Sequence, residues 1–324
     1  MSCAPWKLPP ASVAEFALIQ RYFSGLSVPG RDVLLGVGDD CALLAPPAGQ
    51  QLAMTMDTLI AGRHFLPDVD PVSLGHKSLA VNLSDLAAMG AEPAWALLSL
   101  SLPELDDDWL QGFVAGFSAL GGRYGVKLVG GDTCQGELSI TMQLTGFVDV
   151  EHAMLRSRAR PGDLIYVTGT LGDAALALQL LQAGKDPGEL RASLEQPQPR
   201  IDEGRALANL GVRCCIDISD GLAADLGHIC ERSGCAARVH VERLPLSSQV
   251  RTHVQESGDL APVVVGGDDY ELCFTLPASM QSLLGSLPFG TTCIGEIMPG
   301  KGVELRQEDG GNLPLPRAWE HFVS

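Results

Sequence analysis

No C-x-x-C pair occurs in the sequence, and the nine cysteines (Cys3, Cys41, Cys134, Cys214, Cys215, Cys230, Cys235, Cys273 and Cys293) are odd in number. Neither a disulfide framework nor a zinc knuckle is indicated, and a reducing cytoplasm fits best. Long apolar runs are also missing: nothing approaches the roughly 20 residues that span a bilayer. The opening stretch MSCAPWKLPPASVAEFALIQRYF carries prolines and a glutamate where a secretory signal needs an unbroken apolar core. A soluble cytoplasmic protein is expected, with no membrane partner. Positive charge is scarce as well. The 22 Lys and Arg stand against 39 Asp and Glu, for a formal net charge of −17, which repels a phosphate backbone and disfavours a nucleic-acid binder. The same excess would repel nucleotides unless metal ions intervened.

Several phosphate and metal motifs are absent. There is no G-x-x-x-x-G-K-S/T, so no P-loop, and Gly36-Val-Gly38-Asp39-Asp40-Cys41 lacks the third glycine of a dinucleotide fingerprint. Counted from Asp217, a calcium loop would want glycine sixth and glutamate twelfth, whereas Gly221 comes fifth and His228 twelfth. The H-R-D and D-F-G signatures of protein kinases are missing too.

What is present is an ordinary globular composition, 46% hydrophobic and 19% charged over 324 residues, enough for about two domains. Apolar runs predict strands at Val33–Val37, Leu52–Met56, Trp95–Leu102, Lys127–Val129 and Leu138–Val148. Leu110, Phe113, Val114, Phe117 and Leu120 recur at helical spacing within Asp106–Tyr124, with acids at the start and Gly121-Gly122 at the end. A second helix over Val72–Met89, closed by Gly90, brings Ser78, Asn82 and Asp85 near one another. The turn chemistry of Arg158–Asp163 marks a boundary. The domains are therefore placed at 1–150 and 151–324. The second contains helices over Gly172–Gln182 and before Gly211, with strands at Leu164–Thr168, Cys214–Ile218, Ala237–Val241, Val263–Val265, Leu272–Leu276 and Cys293–Ile297. Mixed strands and helices in both halves argue an α/β or α+β chain.

Most acids in a soluble protein are solvated surface. Six clusters depart from that pattern by lying where a strand is expected to end or a helix to pass, mostly beside glycine: Gly36-Val-Gly-Asp39-Asp40, Thr55-Met-Asp57-Thr58, Asn82-Leu-Ser-Asp85, Gly130-Gly-Asp132-Thr133, Asp217-Ile-Ser-Asp220-Gly221 and Gly266-Gly-Asp268-Asp269-Tyr-Glu271. Glycine lets backbone N–H groups approach a phosphate, and aspartate supplies hard oxygen ligands for Mg²⁺. Any one cluster alone is more often a turn whose aspartate bonds the backbone; the set together points to metal and phosphate binding. Cys41 and Cys134 have no base nearby in sequence and are expected to be small packed side chains.

In this order the clusters resemble the thiamine-monophosphate kinase family, within the aminoimidazole-ribonucleotide-synthetase-like superfamily of ATP-using enzymes. The segments Gly36–Leu44, Asp57–Phe65, Lys77–Gly90, Gly130–Thr133, Asp217–Leu222 and Asp269–Phe274 carry the likeness. It implies a two-domain synthetase-like fold with an N-terminal sheet that pairs across a homodimer, a C-terminal α/β domain, and a cleft between them. It also implies transfer of the γ-phosphoryl of ATP to thiamine monophosphate with the help of several Mg²⁺ ions. The family's metal positions fall on Asp40, Thr55, Met56 (through its carbonyl), Asp57, Asp85, Asp132, Asp217 and Asp220. Its ATP contacts fall on Gly131, Asp132, Arg156 and Ser219, and its acceptor contacts on His64, Asp268 and Trp319. Where the family usually has Gly-Gly-Glu-Asp, this chain has Asp268, one methylene shorter; Trp319 stands where a tyrosine is common. The alternatives are a related ATP-dependent synthetase that activates an amide or formyl oxygen, and a non-catalytic Mg–nucleotide binding protein.

Overall fold

A computed structural model describes residues 17–26 and 30–314; the expectation for Trp319 lies outside them. The described chain forms two compact units. One holds the residues up to Ala48 with Met56–Leu79 and Pro93–Thr145; the other holds Gly49–Thr55, Ala80–Glu92 and the residues from Gly146 on.

After the helical turns Ile19–Phe23 and Ser24–Leu26, the first half of the chain has a small antiparallel pair, β1 (Val33–Leu35) and β2 (Leu43–Leu44). There follow β3 (Gln50–Ile60), α1 (Pro71–Ala88), β4 (Glu92–Leu102), α2 (Asp107–Tyr124), β5 (Lys127–Gln135) and β6 (Ser139–Asp149). The strands form a four-stranded sheet in the order β3-β6-β4-β5, in which β4 and β5 are parallel. The two long helices arise for different reasons. α2 is amphipathic and well capped: the Asp106 carboxylate accepts from the N–H groups of Asp108 and Trp109 at 2.9 and 3.1 Å, satisfying orphan donors of the first turn. Gly121 and Gly122 lie inside its last turn, and the helix stops instead at Gly125, whose φ is +71°. α1 is buried on nearly all sides, including its polar Ser73, Lys77, Ser78, Asn82 and Ser84. A helix that buries so many polar groups is not explained by apolar packing alone.

The second half contains β7 (Asp163–Thr168), α3 (Asp173–Gln182), α4 (Leu190–Glu195), α5 (Ile201–Leu210), β8 (Cys214–Asp217), α6 (Leu222–Ser233), β9 (Ala236–His240), α7 (Ser248–Ser257), α8 (Ala261–Val264), β10 (Leu272–Pro277), β11 (Thr291–Met298), β12 (Gly302–Arg306) and β13 (Asn312–Leu313). Its seven-stranded sheet has the order β13-β12-β9-β11-β7-β10-β8. The pairs are antiparallel apart from β12 with β9. Ile165, Val167, Ile216, Cys273, Val239 and Ile294 pack with Ala174, Ala177, Leu222, Leu226 and Ile229 of α3 and α6 in one core. The mixed helix-and-sheet fold is the one expected.

Some local expectations change. Val263–Val265 is no strand: Val263 and Val264 lie in the one-turn helix α8, with Pro262 in its first turn. A short buried apolar run does not separate strand from helix by period, and proline in the first turn favours the helix. Asp57 and Asp132 lie within β3 and β5 rather than at strand ends, because both strands continue well past them. Cys41 and Cys134 are exposed, not packed.

Candidate active site

β8 ends on Asp217, which is 3% exposed, and the chain turns through Ile218, Ser219, Asp220 and Gly221 into α6. Much of the backbone of this turn is hydrogen-bonded from within the protein. The Ile218 N–H donates to the Glu271 carbonyl at 2.8 Å. The N–H groups of Ser219 and Asp220 both donate to Oδ2 of Asp225, at 3.1 and 3.0 Å. In return the carbonyls of Ile218 and Ser219 accept from the N–H groups of Tyr270 and Asp268, at 2.8 and 2.9 Å. The aspartate turn and the Gly266–Glu271 segment are therefore one interlocked piece. The amides of Ile218, Ser219 and Asp220 are spent internally, so these residues offer a ligand the side chains of Ser219 and Asp220 rather than their N–H groups.

Facing that piece, within the same unit, stand residues 80–88 of α1. The Ser84 hydroxyl donates to Oδ2 of Asp217 at 2.7 Å, and the Thr55 hydroxyl of β3 donates to Oδ2 of Asp85. Burial first, and then the negative charge of Asp85, push the Asp217 carboxyl up to about 7 against the pull of Ser84 and Arg156. Asp85 is also raised, by burial, with Thr55 and Arg156 opposing. Two carboxylates that disfavour each other's charge in a dry place, each held by a hydroxyl, form a donor set of hard oxygens. That set fits a divalent cation, whose charge would remove the conflict.

Thr55 and Asp57 share one face of β3 and Met56 points to the other, its side chain 63% exposed. Asp40 is exposed, and its N–H donates to the Asp39 carboxylate at 2.8 Å. His64 accepts the Ile60 N–H on Nδ1 at 3.0 Å, which ties the ring to the end of β3. Gly131 has φ +155°, and a Cβ there would stand 1.8 Å from the Leu98 carbonyl oxygen; only glycine passes beside the register shift of β4 on β5. It carries the exposed Asp132 next to it. Arg156 is exposed, its carbonyl accepting from the Ser233 hydroxyl at 2.8 Å. Asp268 adopts φ +69° and accepts the Tyr270 hydroxyl on Oδ1 at 2.9 Å.

Thr55, Asp85, Arg156, Asp217, Ser219, Asp220 and Asp268 thus belong to the second unit, and Asp40, Met56, Asp57, His64, Gly131 and Asp132 to the first. Among the described residues no three of His, Cys, Asp or Glu stand together as a ready-made metal cluster. The sequence gives no role to Ser84 and Asp269, although both stand in its acidic clusters, and does not mark Asp225. Asp269 accepts the Gly172 N–H at 2.9 Å, and burial drives its carboxyl well above the usual range. The available signal for Asp225 was an acid at the first turn of a helix, reaching back to amides before it.

Residues 38–148 match the family model of the AIR synthase related protein, N-terminal domain, and residues 160–279 that of the C-terminal domain. The fold and site thus define an AIR synthase-related protein of two domains. The chain is 48% identical to the thiamine-monophosphate kinase of Escherichia coli, over 96% of this chain and 98% of that one. The crystal structure of thiamine-monophosphate kinase from Stenotrophomonas maltophilia superposes with a TM-score of 0.83 at 45% identity, covering 92% of this chain and 97% of that chain. AaThiL complexed with AMPPCP and TMP superposes with a TM-score of 0.77 at 32% identity, covering 98% and 100%. The chain belongs to the thiamine-monophosphate kinase family.

Proposed function

We propose that this protein transfers the γ-phosphoryl group of ATP to thiamine monophosphate, giving thiamine diphosphate and ADP, with Mg²⁺ held by its aspartates. The observation that carries the reading is the buried Asp85–Asp217 pair, whose mutual repulsion a divalent cation would relieve. The family and the relative bound to an ATP analogue and TMP support the substrates.

The acceptor is a phosphate monoester with a second pKa of about 6, already mostly anionic at neutral pH, so no general base is needed. The obstacle is repulsion between two anions inside a protein of net charge −17. Bound Mg²⁺ would supply the positive charge that lets donor and acceptor phosphates approach in line. Asp40, Thr55, the Met56 carbonyl, Asp57, Asp85, Asp132, Asp217 and Asp220 hold the cations. Gly131, Asp132, Arg156 and Ser219 bind ATP, Arg156 by a charged fork to phosphate oxygens. His64, Asp268 and Trp319 bind the acceptor, with Trp319 stacking on the cationic thiazolium. The site's own work is therefore positioning and charge compensation.

A homodimer belongs to this reading. Leu52, Met54, Met56 and Ile60 alternate along β3 and are 41–65% exposed, an apolar face on an outer strand of its sheet of the kind a second copy covers. A domain junction near residue 150 is supported by family models that end at 148 and resume at 160. Free cysteines throughout the described residues fit a cytoplasmic setting, and no described helix is long and apolar enough to cross a membrane.

The test is incubation with Mg-ATP and either thiamine monophosphate or free thiamine. Thiamine diphosphate from the monophosphate is expected; turnover of free thiamine alone overturns the acceptor, and ATP bound but never consumed overturns the catalysis. Asp57→Asn should lower activity and raise the Mg²⁺ requirement together, and an unchanged requirement would count against its role.

A further inference from the structure

Beneath the segment that presents Asp268 lies an ion pair that the chemistry above does not use. Glu271 is 6% exposed. Arg200, which precedes α5, donates Nε to its Oε2 at 2.7 Å and Nη2 to its Oε1, and the Thr168 hydroxyl donates to Oε2 at 2.6 Å. That hydroxyl also accepts the Leu272 N–H at 2.9 Å. The backbone is shaped to admit the carboxylate: Gly169 has φ +49°, and a Cβ there would stand 2.0 Å from Glu271 Oε1.

Burying a carboxylate with its partner is seldom worth more to stability than a well-packed apolar pair of the same volume, so stability alone does not account for this arrangement. What it does account for is the backbone around it. Asp268 and Tyr270 both have positive φ, +69° and +50°, a conformation that side-chain-bearing residues hold only where their surroundings over-determine it. Glu271 is the next residue, fixed at two oxygens by a planar fork, and its carbonyl accepts the Ile218 N–H at 2.8 Å. Through that bond and those of Tyr270 and Asp268, the same anchor reaches the turn that carries Ser219 and Asp220.

We propose that Arg200 and Glu271 are positioning residues for the acceptor side of the reaction: the ion pair fixes the 268–270 backbone, and with it the placement of Asp268 against the acceptor phosphate. The inference rests on the kinase reading above.

The test compares the unmodified protein with Arg200→Lys, which keeps the charge and loses the fork, and with the double variant Arg200→Met/Glu271→Leu, which replaces the pair by apolar groups without leaving either member of it buried alone. Thermal unfolding, kcat, and KM for ATP and for thiamine monophosphate are measured on each. Misplacement by about 1 Å costs on the order of 100-fold. Both variants are therefore expected to keep a cooperative unfolding transition near that of the unmodified protein, yet to lose about 10- to 100-fold in kcat/KM for the acceptor, mostly through KM. A folded double variant with unmodified kinetics overturns the inference, as does a loss of activity that merely follows the fraction unfolded. If the double variant does not fold, Arg200→Lys decides on the same criteria. Absence of thiamine diphosphate formation by the unmodified protein removes the functional reading and this inference together. Turnover by the unmodified protein with unaltered KM in the variants removes this inference alone.

Discussion

The Ser84 hydroxyl donates to Oδ2 of Asp217 at 2.7 Å, joining residues 133 positions apart in the chain. The bond holds Asp217 in a place where burial and Asp85 make its charge unfavourable. Removing divalent cations should therefore destabilise the protein. Adding Mg²⁺ at 100 times its dissociation constant should restore about 2.7 kcal/mol. Asp217→Asn has the opposite sign in the two states: it relieves the repulsion, so the metal-free variant should unfold at or above the temperature of the metal-free parent, and it should gain less on adding Mg²⁺. Thermal scans with chelator and with Mg²⁺ check both parts, and an equal Mg²⁺ gain in parent and variant would remove Asp217 from the cation site.

Asp225 accepts two amide bonds on a single oxygen, Oδ2, and its carboxyl is pushed up to about 8 by burial, then by Asp217 and Asp220. A mostly protonated acid that accepts through one oxygen is closely imitated by asparagine. Asp225→Asn should thus cost under about 1 kcal/mol, whereas Asp225→Ala strands both N–H groups and should cost about 3 kcal/mol. Urea unfolding of the two variants separates the cases. Comparable losses would mean that the negative charge, not the acceptor oxygen, holds the turn.

The residues that were legible in the sequence are those whose signal is local. Asp217, Asp220 and Asp268 stand out because acids beside glycine interrupt apolar runs, and the α2 helix is readable from its period and its acidic start. Gly125 rather than Gly121 ends that helix because a glycine in the final turn is tolerated and only the one at positive φ stops it. The helix α6 repeats Leu222, Leu226, Ile229 and Cys230 on one buried face, but no helix is expected there when the acidic motif at its start dominates the reading. Ser84 and Asp225 were not legible as site residues, since their importance lies in partners that only the fold supplies. The same holds for Arg200, whose partner Glu271 lies 71 positions away.

Lys127 Nζ approaches Asp32 Oδ1 at 2.6 Å, and Trp95 Nε1 donates to Asp32 Oδ2 at 3.1 Å. The Lys127 hydrogen bond is the main reason that the Asp32 carboxyl sits below its ordinary value of 3.8, with burial opposing and Trp95 assisting. A carboxyl depressed in the folded state contributes stability above its unfolded-state value and loses it as pH falls through the folded one. Asp32→Asn should therefore destabilise by about 0.5–1 kcal/mol at neutral pH, a modest amount because the pair is about a third exposed. The difference from the parent should shrink toward zero as pH falls below the ordinary value of 3.8 and through the lower folded-state one. Urea midpoints measured across that range test the sign, and a difference that does not change with pH would assign the loss to packing.

Tyr270 is 7% exposed and donates its hydroxyl to Asp268 Oδ1 at 2.9 Å. Aspartate is a short side chain, so its carboxylate depends more on being aimed than on length. Tyr270→Phe keeps the ring and removes only the donor. Since a single hydrogen bond contributes about 0.5–1.5 kcal/mol, KM for thiamine monophosphate should rise about two- to tenfold, while KM for ATP and the unfolding temperature stay near those of the parent. A matching rise in both KM values would instead make the tyrosine a general support of the interlocked segments. An unaltered KM for thiamine monophosphate would count against any aiming of Asp268 at the acceptor by the Tyr270 hydroxyl, leaving its backbone held through the Ser219 carbonyl that its N–H reaches at 2.9 Å.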